Sequence, residues 1–159
     1  MSKNKWKIKG KVCKNENIRL FHLSLENHNN RIFKPRIPHN VADYCNENNT
    51  IARICFSTSM SGAYRAIEFN EKRGWSYPYY IHIPQNITNA VKNKNVIIPH
   101  KDLVFDVHYT NEHWVREKVK LKCIGKALFK YANKSYMDDN FRTKIKIKWI
   151  EKYIENNWE

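Results

Sequence analysis

The residues of this chain that can take part in chemistry are spread over several short segments. Seven histidines make a metal site the first possibility to test, but no HExxH pattern occurs, and His108 and His113 do not share one helical face well. The GxGxxG, P-loop and GxSxG patterns are also absent, so the sequence predicts no metal centre, no Rossmann or P-loop nucleotide site and no hydrolase elbow. The remaining candidates are His22 and Ser24, the hydroxyl run Ser57, Thr58 and Ser59, the pair Tyr79 and Tyr80, and residues 109–114.

The four cysteines are widely spaced and form no CxxC pair, which supports neither a zinc knuckle nor a disulfide framework. We interpret Cys13, Cys45, Cys55 and Cys123 as small buried hydrophobic residues. No segment approaches the roughly 18 apolar residues of a membrane-spanning helix, and the first residues lack the apolar centre of a signal peptide. We therefore expect a cytoplasmic protein with no membrane partner.

Positive charge is concentrated at the two ends of the chain. The sequence has 29 Lys and Arg against 15 Asp and Glu, a formal net charge of +14. Residues 1–20 and residues 116–159 each carry +6, whereas residues 21–115 carry only +2. The ends therefore predict attraction to an acidic protein or a nucleic acid, while the chemical candidates lie in a nearly neutral centre.

The elements that must position these candidates follow from the apolar pattern. Alternation of lysine with apolar residues over 5–12 predicts a basic edge strand. A strand is predicted over 17–25, and residues 51–69 predict a strand, a hydroxyl-rich turn and the central helix. Residues 27–50 predict a long loop. Further strands are predicted over 79–83, 95–98, 103–107 and 119–129, the last with a bulge or bend at Gly125.

The C-terminal segment from Asp138 has apolar residues at helical spacing and predicts a basic helix, although the alternating residues 144–149 would also suit a strand. The whole chain, 1–159, is expected to be one α+β domain. Its basic first segment is 1–17, its core is 18–129 and its basic C-terminal extension is 130–159.

The order of these segments resembles the small ADP-ribosyltransferase-like fold. The resemblance rests on short motifs within 18–129: LFHLS at 20–24, KPR at 34–36, ICFSTSMSGAY at 54–64, YIHIP at 80–84 and TNEHWV at 110–115. It is nearest to rifampin ADP-ribosyltransferases and compact phage or bacterial relatives. It implies split antiparallel β-sheets and NAD as the substrate of an ADP-ribosyltransferase or an NAD glycohydrolase. It also implies a role as a phage or bacterial toxin or anti-defence effector.

The resemblance implies roles for specific residues in two branches of the family. In the histidine-bearing branch a first-strand histidine contacts a ribose hydroxyl of NAD, which corresponds to His22, and Ser24 would neighbour the same cleft. In the toxin branch a serine-threonine-serine motif braces the NAD site, and the segment Ser57 to Ser59 resembles it. Because the sequence contains motifs similar to those of both branches, the subclass of the family stays open.

An acidic residue at the start of a late strand binds the 2′-hydroxyl of the nicotinamide ribose in the family, and Glu112 matches that place. A fixed carboxylate there would stabilise the oxocarbenium-like state of glycosidic cleavage. The residue two positions earlier orients the acceptor in several relatives. Here it is Thr110, which does not favour arginine modification and leaves the acceptor open.

Aromatic and cationic residues complete the expected NAD site. Tyr64, Tyr79 or Tyr80 would stack on the nicotinamide ring, and Arg36 or Arg53 would hold the pyrophosphate. Every one of these residues also has a structural interpretation. The histidine and tyrosines can be core residues, the hydroxyl run a helix cap, Glu112 a solvated turn residue and the arginines surface charges.

Two other functions stay open at this point. Lysines interleaved with Trp6 and Trp149 resemble the phosphate-binding and stacking surfaces that bind single-stranded nucleic acid. Alternatively, the scaffold blocks a host factor without turnover, because a fold alone does not establish activity.

Overall fold

A computed structural model describes residues 10–38, 50–67, 78–101, 103, 107–130 and 146–149. Two antiparallel sheets carry most of the regular structure, and the helices are few and short. This confirms the predicted α+β class. None of the helices in the described ranges is long and apolar enough to cross a membrane.

The first sheet has four strands in the order β1-β6-β7-β4. Strand β1 pairs only with β6 and so forms an edge, as predicted for the described end of the basic first segment. Strand β4 pairs in register with β7 from Ile54 opposite Val115 to Ser57 opposite Glu112. The bounds are Gly10–Val12 for β1, Ile54–Ser57 for β4, Val96–Pro99 for β6 and Glu112–Val115 for β7.

The second sheet follows the order β2-β5-β8-β3, and β9 also pairs with β8. The register between β5 and β8 shifts by one residue after Ile81. Ile81 lies opposite Gly125, whereas the next residue, His82, lies opposite Cys123. Ile124 is therefore an extra residue, and the predicted bulge beside Gly125 is confirmed. The bounds are His22–Ser24 for β2, Ile32–Phe33 for β3, Tyr79–Pro84 for β5, Val119–Lys130 for β8 and Lys146–Trp149 for β9.

Three helices lie between the strands in the part of the chain that the structure describes. The predicted central helix is α1, Met60–Arg65, and the Ser59 side chain caps it by accepting a hydrogen bond from the Gly62 amide. Helix α2, Ile87–Lys92, lies between β5 and β6. Helix α3, Val107–Thr110, is a single turn that leads directly into β7.

Three sequence expectations are wrong within the described residues. Ile32–Phe33 forms β3 and pairs with β8 inside the segment 27–50 that was predicted as a long loop. Val107 begins α3 instead of ending a strand over 103–107. Lys146–Trp149 forms β9 and pairs with Ala127 to Lys130 of β8, where the sequence pattern had predicted a basic C-terminal helix. The alternating side chains suit a strand, and β8 supplies the backbone partners. The rest of that predicted helix lies outside the described residues, as do residues 1–9 and 39–49.

Apolar packing joins the elements in two main clusters. The first draws on both sheets, with Phe56 and Val115 of one against Val119 and Leu121 of the other. In the second, Ala63 and Tyr64 of α1 pack against β2, β5 and β8. Each large buried side chain contributes about 1.5–3 kcal/mol relative to exposure. The packing therefore fixes α1 beside the junction of the two sheets.

Candidate active site

A cavity of about 270 Å³ lies where the two sheets meet beside α1. Its polar lining comes from His22 of β2, Ser57 of β4, Thr110 of α3 and Glu112 of β7. Apolar side chains complete it, including Ala63 and two further residues at the end of α1. The structure therefore brings together residues from three of the segments that the sequence analysis had marked as catalytic or NAD-binding.

A backbone bridge between β2 and β4 sets the width of this junction. The Phe21 amide donates to the Ser57 carbonyl at 2.7 Å, and the Ser57 amide donates back to the Phe21 carbonyl at 3.0 Å. This two-residue bridge links the sheets at one point. Because His22 follows Phe21 directly, the bridge places its ring beside β4.

Ser57 ties β4 to the turn that precedes the candidate carboxylate. Its hydroxyl donates to the Thr110 carbonyl at 2.7 Å in a buried hydrogen bond, and Ser57 lies directly opposite Glu112 in the strand register. The hydroxyl also accepts from the Ser59 amide at 3.2 Å. Ser57 thus has a bracing role, and the hydrogen bond fixes where β7 begins.

Gly62 allows α1 to lie close against the same turn. A Cβ at this position would come within 2.3 Å of the Thr110 carbonyl oxygen and 2.4 Å of the Ser57 hydroxyl oxygen. Real Cβ atoms do not approach other atoms this closely, so only glycine fits here without movement of the backbone. The glycine of the SMSGAY segment is therefore a contact residue of the site.

Glu112 is buried, with 8% of its surface exposed, and its carboxylate is held by a neighbouring indole. The Trp114 Nε1–H donates to Glu112 Oε1 at 2.7 Å. The two residues are two apart on one strand, so their side chains share a face of the sheet. Glu112 is thus an oriented carboxylate that lines the cavity, and not a solvated turn residue.

Cys55 and Arg53 lie on the same face of β4. Burial raises the pKa of the Cys55 thiol well above its usual range, and the negative charge of Glu112 raises it further, while Arg53 opposes these effects. The thiol therefore stays protonated and can donate to the Glu112 carboxylate. We call Arg53, Cys55, Glu112 and Trp114 the carboxylate cluster.

His22 of β2 also lines the cavity. Its ring makes edge contacts with Phe33 and Phe56, with ring centroids 5.5 Å and 6.1 Å away. Burial lowers its pKa to about 4; a hydrogen bond to the Cys55 backbone opposes this, and the charges of His28 and Arg36 add to it. His22 is therefore a neutral imidazole near pH 7.

Two further histidines lie next to His22, and we call His22, His28 and His82 the histidine cluster. The His82 ring is fully buried, lies 6.1 Å from the His22 ring and 5.4 Å from the His28 ring, and accepts a hydrogen bond from the His28 amide at 2.9 Å. Burial lowers the pKa of His82 to about 4, and its two neighbours lower it further. His22 and His82 are therefore uncharged at neutral pH.

Ser24 is placed outside the cavity. Its hydroxyl lies 3.0 Å from Nε2 of His28, and Nδ1 of His28 lies 3.3 Å from a guanidinium nitrogen of Arg31. Arginine can only donate, so the contact with Arg31 favours Nδ1 of His28 as the acceptor and Nε2 as the donor to Ser24. In this arrangement His28 is not a base for Ser24, so the pair is not an activated nucleophile.

The other predicted binding residues are divided between core and surface. Tyr64 is fully buried and stacks on Phe129 at 4.9 Å between ring centroids, so it does not line the cavity. Tyr80 lies on the other face of β5, where Lys126 approaches its ring at 4.8 Å. Its partner in the predicted strand, Tyr79, belongs to the same apolar cluster as Tyr64.

The hydroxyl run and the two arginines have separate positions. Thr58 donates its amide to the Asn111 carbonyl at 3.3 Å, and Ser59 caps α1, so neither lines the cavity. Arg36 is exposed and forms a backbone bridge with Arg53. Arg53 is 2% exposed, and its guanidinium carbon lies 4.0 Å from the centre of the Trp114 ring. Arg53 is therefore not the surface charge that its residue type suggested.

Sequence reasoning missed three residues that shape this site: Cys55, Thr110 as a lining residue, and Trp114. Cys55 was interpreted only as a small hydrophobic residue. The signal that could have found it is the period of two along β4, which places Arg53, Cys55 and Ser57 on one face. The same alternation along β7 places Trp114 on the face that carries Glu112.

No family model, curated protein or solved structure matches this chain. Among the described residues, no group of three or more histidine, cysteine or acidic side chains is arranged to hold a metal ion.

Proposed function

We propose that this protein is an NAD-dependent ADP-ribosyltransferase of the split-sheet type, and that the cavity beside α1 is its active site. The observation that carries the proposal is that His22, Ser57 and Glu112, from three distant segments, line one cavity. Each came from a separate motif of the family resemblance. Their convergence supports the resemblance beyond the order of the motifs.

The chemistry of Glu112 and His22 suits cleavage of the nicotinamide glycosidic bond. That bond breaks with its electron pair leaving on nicotinamide, and positive charge develops on the ribose. A Glu112 carboxylate near the ribose hydroxyls stabilises this charge. The acceptor then forms the new bond to the ribose carbon and loses its proton to solvent or to a nearby base.

A neutral His22 fits the same reaction. The nicotinamide ring of NAD carries a positive charge before cleavage, and a charged imidazole beside it would repel it. With its pKa lowered to about 4, His22 can instead hydrogen-bond a ribose hydroxyl without adding positive charge. The low pKa therefore supports a binding role for His22 and argues against a role as general acid near pH 7.

The size of the cavity indicates which part of NAD it takes. Its volume of about 270 Å³ lies just below the range of about 300–1,000 Å³ that is usual for small-molecule sites. It therefore suits the nicotinamide riboside half and leaves the phosphates outside. Arg36 is exposed and close enough to lower the pKa of His22, so it is placed to meet the pyrophosphate.

The acceptor is a macromolecule or a small molecule that meets the cavity mouth. Thr110, two residues before Glu112, is 1% exposed and presents no charged group to orient an arginine. The lysine-rich ends would draw an acidic protein or a nucleic acid toward the site. These ends set the approach of the partner and take no part in the chemistry.

One observation favours a second function, in which the scaffold binds a nucleotide or blocks a partner without turnover. Tyr64 is buried in the core, so this expected stacking aromatic does not line the cavity. Binding that persists in a Glu112→Gln variant, without nicotinamide release by the wild type, would support this function.

The test is incubation with NAD labelled separately in the nicotinamide and adenylate halves, with and without cell lysate or RNA. We expect the wild type to release nicotinamide and Glu112→Gln to lose about 10²–10³-fold in turnover, because a fixed charge at the developing cation is removed. Glu26→Gln, at an exposed position, is the matched control and should behave as wild type. Absence of both release and label transfer in the wild type under every condition would contradict the proposal.

A further inference from the structure

The face of the β4 and β7 pair that carries Glu112 is unusually polar for its burial. Strand alternation places Arg53, Cys55 and Ser57 on one face of β4. The register puts Cys55 opposite Trp114 and Ser57 opposite Glu112. Of these residues, Arg53 and Trp114 do not line the cavity. Any effect they have on bound substrate must therefore pass through another side chain.

Trp114 is linked to the carboxylate by a short buried hydrogen bond. Its side chain has no exposed surface, and its Nε1–H, the one donor of the indole, is 2.7 Å from Glu112 Oε1. A buried carboxylate oxygen without a donor would be strongly destabilising. The indole therefore stabilises the carboxylate and also fixes the plane in which its two oxygens lie.

Arg53 is linked in turn to Trp114. The guanidinium carbon lies 4.0 Å from the indole ring centre, within the range of a cation–π contact, and one guanidinium nitrogen donates to the Ile51 carbonyl at 3.0 Å. Arginine at 2% exposure is rare unless its charge is compensated. The negative charge in this cluster is that of Glu112, and the Cys55 thiol interacts with both Glu112 and Arg53.

We propose that Trp114 is a positioning residue for Glu112, and that Arg53 holds the indole in the orientation this requires. The inference rests on the proposed function and assigns roles to residues that its motifs do not include. The hydrogen bond on Oε1 sets the direction of the carboxylate toward the cavity. A misplacement of a reacting group by about 1 Å can cost about 10²-fold in rate, so the orientation is worth as much as the group itself.

Trp114→Phe separates this role from packing. Phenylalanine keeps an aromatic ring for Arg53 and removes the N–H donor. We expect turnover of NAD to fall about 10- to 100-fold with KM within about twofold of wild type, because substrate still binds and the carboxylate is misdirected. Thr88→Val, which removes a hydrogen-bond donor outside the cavity while keeping the side-chain shape, is the matched control and should leave both constants unchanged.

Arg53 gives an independent arm with a conservative rescue. Arg53→Met removes the cation at similar length, and we expect a loss of turnover in the same direction as in Trp114→Phe. Arg53→Lys restores a cation over the ring and should recover part of that loss. If Arg53→Met does not fold, Arg53→Lys and Trp114→Phe still decide the proposal, because both keep the buried volume largely filled.

The outcomes separate this proposal from the one it rests on. An active wild type with unchanged turnover in Trp114→Phe overturns the positioning role and leaves the proposed function standing. A loss in Trp114→Phe that appears only as a raised KM also overturns it, because the residue would then act on binding. A wild type that releases no nicotinamide overturns the proposed function and this role with it.

Discussion

The carboxylate cluster and the histidine cluster bury titratable groups in opposite ways. In the carboxylate cluster, a charged side chain is kept buried by donors: Trp114 on Oε1, the Cys55 thiol, and the nearby Arg53 cation. In the histidine cluster, burial disfavours the charge instead, and the pKa values of His22 and His82 fall to about 4. Glu112 thus presents a negative charge to the cavity, and His22 presents a neutral polar ring.

This difference has a physical meaning for a substrate that is cationic and becomes more so. The negative charge of Glu112 attracts the developing cation, and the uncharged imidazole of His22 hydrogen-bonds to the substrate without repelling it. If His22 carried a positive charge, it would weaken the attraction of the Glu112 carboxylate for the substrate. The comparison predicts that the two clusters can be disturbed separately.

The largest effect is expected from Gly62→Ala, which disturbs the turn that precedes Glu112. The new Cβ would lie 2.3 Å from the Thr110 carbonyl oxygen, so the turn before Glu112 must move. We expect the free energy of unfolding, measured by urea denaturation, to fall by about 1–3 kcal/mol. We also expect NAD turnover to fall by more than the loss of folded protein explains.

A control for this substitution is Lys92→Ala, at an exposed position of α2 outside the cavity. It should cost only a small part of the stability lost in Gly62→Ala. Unchanged stability and turnover in Gly62→Ala would show that α1 does not hold the turn in place.

A smaller effect is expected from His82→Gln, which disturbs the histidine side. The folded pKa values of His22 and His82 are about 4, below the ordinary value of 6.5. As the pH falls from about 6.5 to about 4, the unfolded chain takes up protons first. Stability is therefore present above this window and is lost within it, by at most about 1.4 kcal/mol per pH unit for each imidazole.

Glutamine can still accept the hydrogen bond from the His28 amide but does not titrate. We expect the urea midpoint of His82→Gln to fall less steeply than that of the wild type as pH is lowered through this window. His100→Gln, at an exposed position, should keep the wild-type slope. A His82→Gln slope equal to that of the wild type would remove the histidine cluster from the account.

Much of the cavity's framework could be predicted from sequence, because it depends on local rules. The hydroxyl residues before Met60 predicted the cap of α1, and Gly125 predicted the bulge opposite Ile81. His22 and Glu112 were chosen by resemblance, and the structure places both on the cavity. Local patterns were sufficient where each residue's neighbours in sequence decide its conformation.

The rest depends on contacts between distant segments. The buried position of Arg53 follows from its stacking on Trp114, a partner about sixty residues away in sequence. Tyr64 looked like a binding aromatic, but α1 turns it toward Phe129 in the core. Lys146–Trp149 has a pattern compatible with helix or strand, and only its pairing with β8 decides between them.

The most direct test of the central claim, that the cavity between the sheets binds NAD, is an NMR titration of the isotope-labelled full chain with NAD. We expect shift changes to centre on residues 21–23, 55–57 and 110–112, and to be lost in Ala66→Phe, which adds a ring at the cavity rim. Asn89→Phe, on the exposed face of α2, should keep them. Changes confined to the lysine-rich ends, or no changes at all, would contradict the account.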